Sequence, residues 1–92
     1  HNGVVSVAFS RDTVDGSLVG TPKIVSAGFV HTEDADGLLR ETEDALTLVL
    51  EKQLKKPIEY GHLEDVVRTT VGSFLGRRTK RRPLIITSSI DV

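Results

Sequence analysis

Five of the twelve lysines and arginines of this chain fall within six consecutive positions near its end: Arg77, Arg78, Lys80, Arg81 and Arg82. Guanidinium and ammonium groups at this density can bind phosphate oxygens, which gives an affinity that depends on salt but not on base sequence. The formal net charge is only −1, so the run is a local positive pole rather than part of a general basic character. The run is therefore the candidate site for contacting the phosphates of a nucleic acid.

Two other roles explain the same run, and the sequence leaves them open. At the end of a helix, cations complement the partial negative charge of the last carbonyl groups. The acidic residues between 33 and 44 also offer ion-pair partners, within the chain or in a second subunit. The chain has three phenylalanines, one tyrosine and no tryptophan, so stacking of bases on aromatic rings is poorly supported.

No other group of residues has the spacing of an active site. The histidines His1, His31 and His62 are too far apart in sequence to form a local metal-binding pair, and there is no cysteine. The acidic residues Glu41, Glu43 and Asp44 fall in the first turns of a predicted helix, where they favour the helix dipole. We therefore predict that this chain is not an enzyme by itself and holds no metal or cofactor.

Three strands and two helices are predicted to position the basic run. Residues 4–12 and 17–30 predict a hairpin, with a turn at Asp15-Gly16 and an interruption at Gly20-Thr21-Pro22. Apolar residues at spacings of three and four predict helices from about residue 35 or 37 to 55 and from about 62 to 76. Residues 84–92 predict the last strand. Gly72 is expected to allow the second helix to pack closely against the first.

This order predicts an α+β fold with two layers, a three-stranded sheet with both helices packed on one face. The other face of the sheet is then open, and it is the candidate interface with a partner, formed by Ser6, Ala8, Ile85, Thr87 and Ser89. The register of the hairpin has two alternatives. Without a bulge, Val5, Val7 and Phe9 share a face with Ile24 and Ser26. One extra residue near Gly20 pairs them with Val25, Ala27 and Phe29 instead, and apolar matching favours this bulge.

The chain has 92 residues, enough for a single small domain with a thin core. No apolar run approaches the ~20 residues that a membrane-spanning helix needs, so no membrane partner is expected. The first residues lack the basic and apolar regions of a signal peptide and enter a strand almost at once. That abrupt start favours a piece cut from a longer chain. The lack of cysteine is compatible with a reducing cytoplasm.

The end of the chain resembles the C-terminal signature of bacterial ribonuclease J. The segment Gly76-Arg77-Arg78-Thr79-Lys80-Arg81-Arg82-Pro83-Leu84-Ile85 is similar to the point where a helix of that family runs into its last strand, and Asp91-Val92 is similar to the family's ending. Residues 15–22 resemble the family's glycine-containing hairpin, and residues 24–30 resemble its Ile-Val-Ser-Arg-Gly-Phe-Val strand. Ala27 takes the place of that arginine, which implies that position 27 faces solvent or a partner and argues against the bulged register.

The resemblance implies that residues 1–92 are the single C-terminal accessory domain of a larger, cytoplasmic enzyme that degrades and matures RNA. In this family a zinc-dependent metallo-β-lactamase domain and a β-CASP domain carry 5′-to-3′ exonucleolytic and endonucleolytic cleavage. The implied role of the C-terminal domain is to support homo-oligomerisation and full activity beside those catalytic domains. The alternative is an RNA-binding module that contacts phosphates through residues 77–82.

Overall fold

Three strands and two helices follow one another in the predicted β-β-α-α-β order. The structure, a computed structural model, describes residues 3–28 and 35–92. The elements are β1 (Val4–Arg11), β2 (Leu18–Ala27), α1 (Ala35–Gln53), α2 (Tyr60–Thr79) and β3 (Leu84–Asp91). The predicted α+β class is confirmed. Phe29, His31 and the acidic residues 33 and 34, which the sequence-based predictions use, lie outside the described residues.

β1 lies at the centre of the sheet, between β2 and β3. It pairs antiparallel with β2 and parallel with β3, which joins the sheet after both helices. The turn between β1 and β2 is closed by Asp12, whose Oδ1 accepts hydrogen bonds from the backbone N–H groups of Val14 at 2.7 Å and Asp15 at 3.1 Å. Gly16 follows with a φ of 76°, a left-handed conformation that favours glycine. The predicted turn at Asp15-Gly16 is confirmed.

The core lies between the helices and one face of the sheet. Apolar side chains one helical turn apart are buried on each helix, because a spacing of four residues keeps them on one stripe. These are Leu46, Leu50 and Leu54 on α1 and Leu63, Val67, Val71 and Leu75 on α2. They pack against the inner face of the sheet, formed by Val5, Val7, Phe9, Ile24 and Ile85. Each fully buried side chain of this size contributes about 1.5–3 kcal/mol, and together they hold both helices on the same face.

The bulged register that apolar matching favours is wrong. Val7 pairs with Ile24 and Val5 pairs with Ser26, so the buried residues of β1 share their face with Ile24. The pairing does shift further along, because Ala8 pairs with Lys23 but Ser10 pairs with Val19. Three residues of β2 therefore lie opposite one residue of β1, which is two extra residues rather than one. An even number preserves the alternation of side chains, and Pro22 as well as Ile24 points inward and is buried.

Two expectations about α2 are also corrected. The helix does not end at Gly76 but continues to Thr79, so the first part of the basic run is helical. Gly72 does not serve close packing between the helices. A Cβ atom at this position would lie 3.3 Å from Cδ1 of Ile85, so the glycine allows α2 to approach β3.

Candidate functional site

The end of α2 divides the basic run into a helical part and an extended part. Lys80 caps the helix in a left-handed conformation, with a φ of 61°, and its backbone N–H donates to the carbonyl of Gly76 at 2.9 Å. Thr79 stabilises the same corner, since its Oγ1 donates to the carbonyl of Leu75 at 2.7 Å and accepts from the N–H of Arg81 at 3.1 Å. The chain then leaves the helix and reaches β3 through Pro83. Basic side chains before and after this corner can thus converge on one place.

Arg78 is directed away from that place, toward α1. Its guanidinium donates to both carboxylate oxygens of Glu41, at 3.1 and 3.3 Å, and lies over the ring of Phe74, 4.9 Å from its centroid. The hydrogen bond and the charge of Arg78 lower the pKa of Glu41, and the same contacts raise the pKa of Arg78. An exposed pair of this kind adds little stability, but its two-point geometry fixes the side chain. Glu41 is thus one internal partner from the acidic 33–44 segment.

The other basic residues of the run surround a cleft between α2 and the start of β3. This basic cleft has a volume of about 690 Å³, and its described lining residues include no carboxylate. The lining is Arg68, Gly72, Ser73, Gly76, Arg77, Lys80, Arg81, Arg82, Pro83 and Ile85. Arg68 is partly neutralised by its own helix, because it pairs with Asp65 at 3.2 Å and with Glu64 at 3.8 Å. Among the described residues, Arg77, Lys80 and Arg82 form no ion pair.

The structure therefore gathers four of the five predicted phosphate contacts, which are Arg77, Lys80, Arg81 and Arg82, and separates Arg78 from them. Their role as contacts stays a prediction. The sequence reasoning missed Arg68 because it lies nine positions before the run. The signal was present in the helical spacing, since residues 68, 72 and 76 are one turn apart and share a face of α2.

For the second predicted site, the structure places the two β1 residues on the open face of the sheet but the three β3 residues on its inner face. The role of this face as an interface stays a prediction. Ser6 and Ala8 are on the open face, but the parallel register aligns them with Ile86 and Ser88. Ile85, Thr87 and Ser89 therefore point inward: Ile85 belongs to the core, and Oγ1 of Thr87 is buried without a hydrogen-bond partner among the described residues. The outward side chains of β3 are Leu84, Ile86, Ser88 and Ile90.

The open face carries large apolar side chains on both of its edge strands. On each edge strand, large apolar side chains are 42–65% exposed to solvent. These are Val19 and Val25 on β2 and Leu84, Ile86 and Ile90 on β3. Lys23 and Ser6 interrupt them. Several large apolar side chains on one uncovered face of a sheet are more than the scattered exposed ones that are ordinary on a surface. The open face therefore stays the candidate interface, with other β3 residues than the sequence predicted.

Two of the acidic residues near the start of α1 make contacts with other elements. Oε2 of Glu43 accepts a hydrogen bond from the backbone N–H of Ile24 at 2.8 Å, which links α1 to β2, while Glu41 holds Arg78. Within residues 3–28 and 35–92, no three potential metal ligands come together. None of the helices in that same part of the chain is long and apolar enough to cross a membrane.

Comparison with known proteins finds one family over the whole chain. The family model described as the ribonuclease J C-terminal domain matches residues 1–92. Ribonuclease J2 of Bacillus subtilis (strain 168) is 30% identical over 93 residues, which cover 100% of this chain and 17% of that protein. Ribonuclease J 2 of Staphylococcus aureus (strain NCTC 8325 / PS 47) is 31% identical over 87 residues, which cover 94% of this chain and 16% of that protein. The chain thus spans about one sixth of the length of these relatives.

Proposed function

We propose, from the premise that this chain belongs to the family of ribonuclease J C-terminal domains, that it is the accessory domain of a larger RNA-processing ribonuclease. In this proposal residues 1–92 form one non-catalytic domain that supports self-association and full activity of the parent enzyme. The parent acts in the cytoplasm and carries its chemistry in preceding metallo-β-lactamase and β-CASP domains. The proposal rests on the family and on a fold whose conspicuous surfaces are suited to binding.

The open face of the sheet is the observation that carries the assembly role. Its exposed valines, leucine and isoleucines lie on the side of the sheet that neither helix covers. Covering apolar area contributes about 25 cal/mol per Å², and stable interfaces bury about 1,200–2,000 Å² in total. A second subunit of the parent is the occupant that we propose, since the same face of two copies can pair about a twofold axis and cover the exposed apolar side chains of both.

Charges placed on this face test the assembly role. In the parent enzyme, Val25→Lys with Ile86→Lys is expected to lower the subunit number on dilution, because like charges would meet at the desolvated interface. Val14→Lys with Leu48→Lys is the matched control, as these side chains are exposed by 96% and 71% and lie outside the open face. Light scattering over a dilution series gives the subunit number. If both pairs of substitutions leave it at the wild-type value, this face does not assemble the enzyme.

A separate experiment tests whether the catalytic activity lies outside these 92 residues. We infer that zinc and both the 5′-to-3′ exonucleolytic and the endonucleolytic cleavage belong to the parent's catalytic domains. The 92-residue chain alone is then expected to retain no zinc after dialysis and to leave labelled RNA intact. Zinc bound at one ion per chain together with metal-dependent cleavage by the chain alone would contradict this inference.

Contact with RNA through residues 77–82 is a second candidate function. The observation in its favour is that four of these cations converge on a cleft instead of spreading over the surface. Neutralising Arg77, Lys80 and Arg82 to Gln is expected to weaken the parent's RNA affinity equally across sequences, because phosphate contacts carry no base code. On single strands the slope of log affinity against log salt should flatten by about 0.7 for each lost contact.

The control for this experiment removes equal charge elsewhere. Lys52, Lys55 and Lys56 lie at and beyond the end of α1 and are exposed. Changing these three to Gln alters the net charge by the same amount but leaves the basic cleft intact. An equal effect of both triple variants on the salt slope would mean that net charge, and not the 77–82 segment, governs RNA affinity.

A further inference from the structure

We propose that the basic cleft between α2 and β3 is a discrete site for the phosphodiester backbone of single-stranded RNA, and that Arg78 is a structural clasp outside it. The inference rests on the second candidate function and makes it more specific. In place of a linear run of five cations, it describes a concave site whose lining residues are known. It also adds Arg68 and Ser73 to the site, and neither belongs to the basic run.

The charges of the cleft are arranged for an anion. Arg77, Lys80 and Arg82 come from the helix, from its cap and from the segment leading to β3, so they approach the cleft from different directions. No ion pair among the described residues occupies these three side chains, and their described neighbours in the lining supply no carboxylate. The helix dipole does not explain Arg82, because its effect falls off within the last turn and Arg82 lies beyond the helix. Phosphate oxygens are strong acceptors for such groups.

The shape of the cleft favours an extended strand. A volume of about 690 Å³ is within the usual range for sites that enclose a small ligand, and it can take a short stretch of backbone but not a duplex. Gly72 and Gly76 form part of one wall and present no side chain. None of the described lining residues has an aromatic ring on which a base could stack. Binding would therefore be governed by phosphates and show little preference for sequence.

Arg78 is excluded from the site by its contacts. Its guanidinium is engaged by both oxygens of Glu41 and by the ring of Phe74, on the side of α2 that faces α1. Since neighbouring residues of a helix are about 100° apart around its axis, Arg77 and Arg78 serve different surfaces. Arg78→Gln should then loosen α1 from α2 without removing a phosphate contact.

A substitution that fills space without changing charge can test whether RNA binds in the cleft or to the basic surface in general. Ser73 is exposed and lines the cleft, so Ser73→Leu narrows it without changing any charge. With a short uridine oligonucleotide, the 92-residue chain carrying this change should bind on the order of tenfold more weakly, the equivalent of losing about one charge-assisted hydrogen bond. Thr69→Leu is the control, because Thr69 is an exposed residue of the same helix that does not line the cleft. Melting curves verify that each variant folds.

Each result decides between the cleft and its alternatives. Weakening by Ser73→Leu and by the Arg77, Lys80 and Arg82 triple variant, with Thr69→Leu and Arg78→Gln unchanged, supports the site. If only the triple variant weakens binding, the basic segment contacts RNA outside the cleft, so the inference fails and the second candidate function survives. If the triple variant has no more effect than the Lys52, Lys55 and Lys56 control, both fail. Competition by an acidic peptide at equal affinity would assign the cleft to a protein partner.

Discussion

At the residue scale, adjacent cations of one run have different partners. The sequence predicts that residues 77–82 act together, and most of their basic side chains do line one cleft. It could not separate Arg78 from Arg77, because that distinction depends on where the helix ends. If the helix ended at Gly76, as predicted, helical geometry would not say where the side chains of the run point. Because α2 continues to Thr79, Arg77 and Arg78 are both helical and point to different sides of the helix.

The pairing of Arg78 with Glu41 predicts how stability changes in acid. The pKa of Glu41 is lowered by the hydrogen bond and charge of Arg78, so folding favours its ionised form. The contribution is fully present above the ordinary pKa of a glutamate, which applies in the unfolded chain, and is lost as the pH falls through the lower folded pKa. Glu41→Gln should therefore lower the melting temperature at neutral pH, and the difference from wild type should vanish below the folded pKa.

Glu51→Gln provides the matched control for this pH series, because Glu51 is an exposed glutamate of the same helix with no ion pair among the described residues. Its melting temperature should follow the wild type at every pH. A difference between Glu41→Gln and wild type that stays constant into acid would show that the carboxylate charge contributes nothing.

At the scale of elements, periodicity gave the helices and the hairpin but not the register. Spacings of three and four residues are a local signal, so both helices were predicted from the sequence, with ends displaced by up to three residues. The register of β2 depends on how many residues are extra at Gly20-Thr21-Pro22. One extra residue moves every following side chain to the other face of the sheet, whereas two extra residues leave each on its original face. The sequence assigned the wrong face to Ile85 because Ile85 and Ile86 are both apolar, and the sheet buries only the first.

Gly72 predicts a coupling between α2 and β3. Replacing this glycine by alanine should stabilise the helix by about 1 kcal/mol, but the new Cβ would lie 3.3 Å from Cδ1 of Ile85. Ile85→Val removes that methyl group and by itself costs about 0.5–1.5 kcal/mol. The double variant should thus be more stable than the sum of the two single effects, by about 0.5 kcal/mol or more.

Urea unfolding of the four members of this cycle measures the coupling. Gly61→Ala with Ile85→Val is the control cycle, because a Cβ built at Gly61 has no described neighbour within 4 Å apart from the adjoining residues and backbone of its own helix. Its two effects should add. Additivity in the Gly72 cycle as well would mean that the close approach of α2 to β3 carries no strain.

At the scale of the whole molecule, the two candidate surfaces use opposite faces of one strand. Ile85 points inward and lines the basic cleft, while its neighbours Leu84 and Ile86 point outward on the open face. The sequence predicted both surfaces in outline because each has a local signal. For the basic cleft the signal is the run of cations, and for the open face it is the presence of only two helices, which can cover one side of the sheet. It misplaced the three β3 residues of the open face because the parallel register of β3 is set by packing, not by a turn.

Because the surfaces lie on opposite sides of the sheet, their functions should separate. In the parent enzyme, the Val25→Lys and Ile86→Lys pair should lower the subunit number while leaving unchanged the salt slope for a short oligonucleotide that cannot bridge two subunits. The Arg77, Lys80 and Arg82 triple variant should flatten that slope while keeping the subunit number. Combining all five substitutions should reproduce both effects at their single-variant sizes, since changes without shared partners add. Loss of assembly in the triple variant would instead mean that the basic cleft takes part in the subunit contact, and RNA affinity would then depend on assembly through avidity.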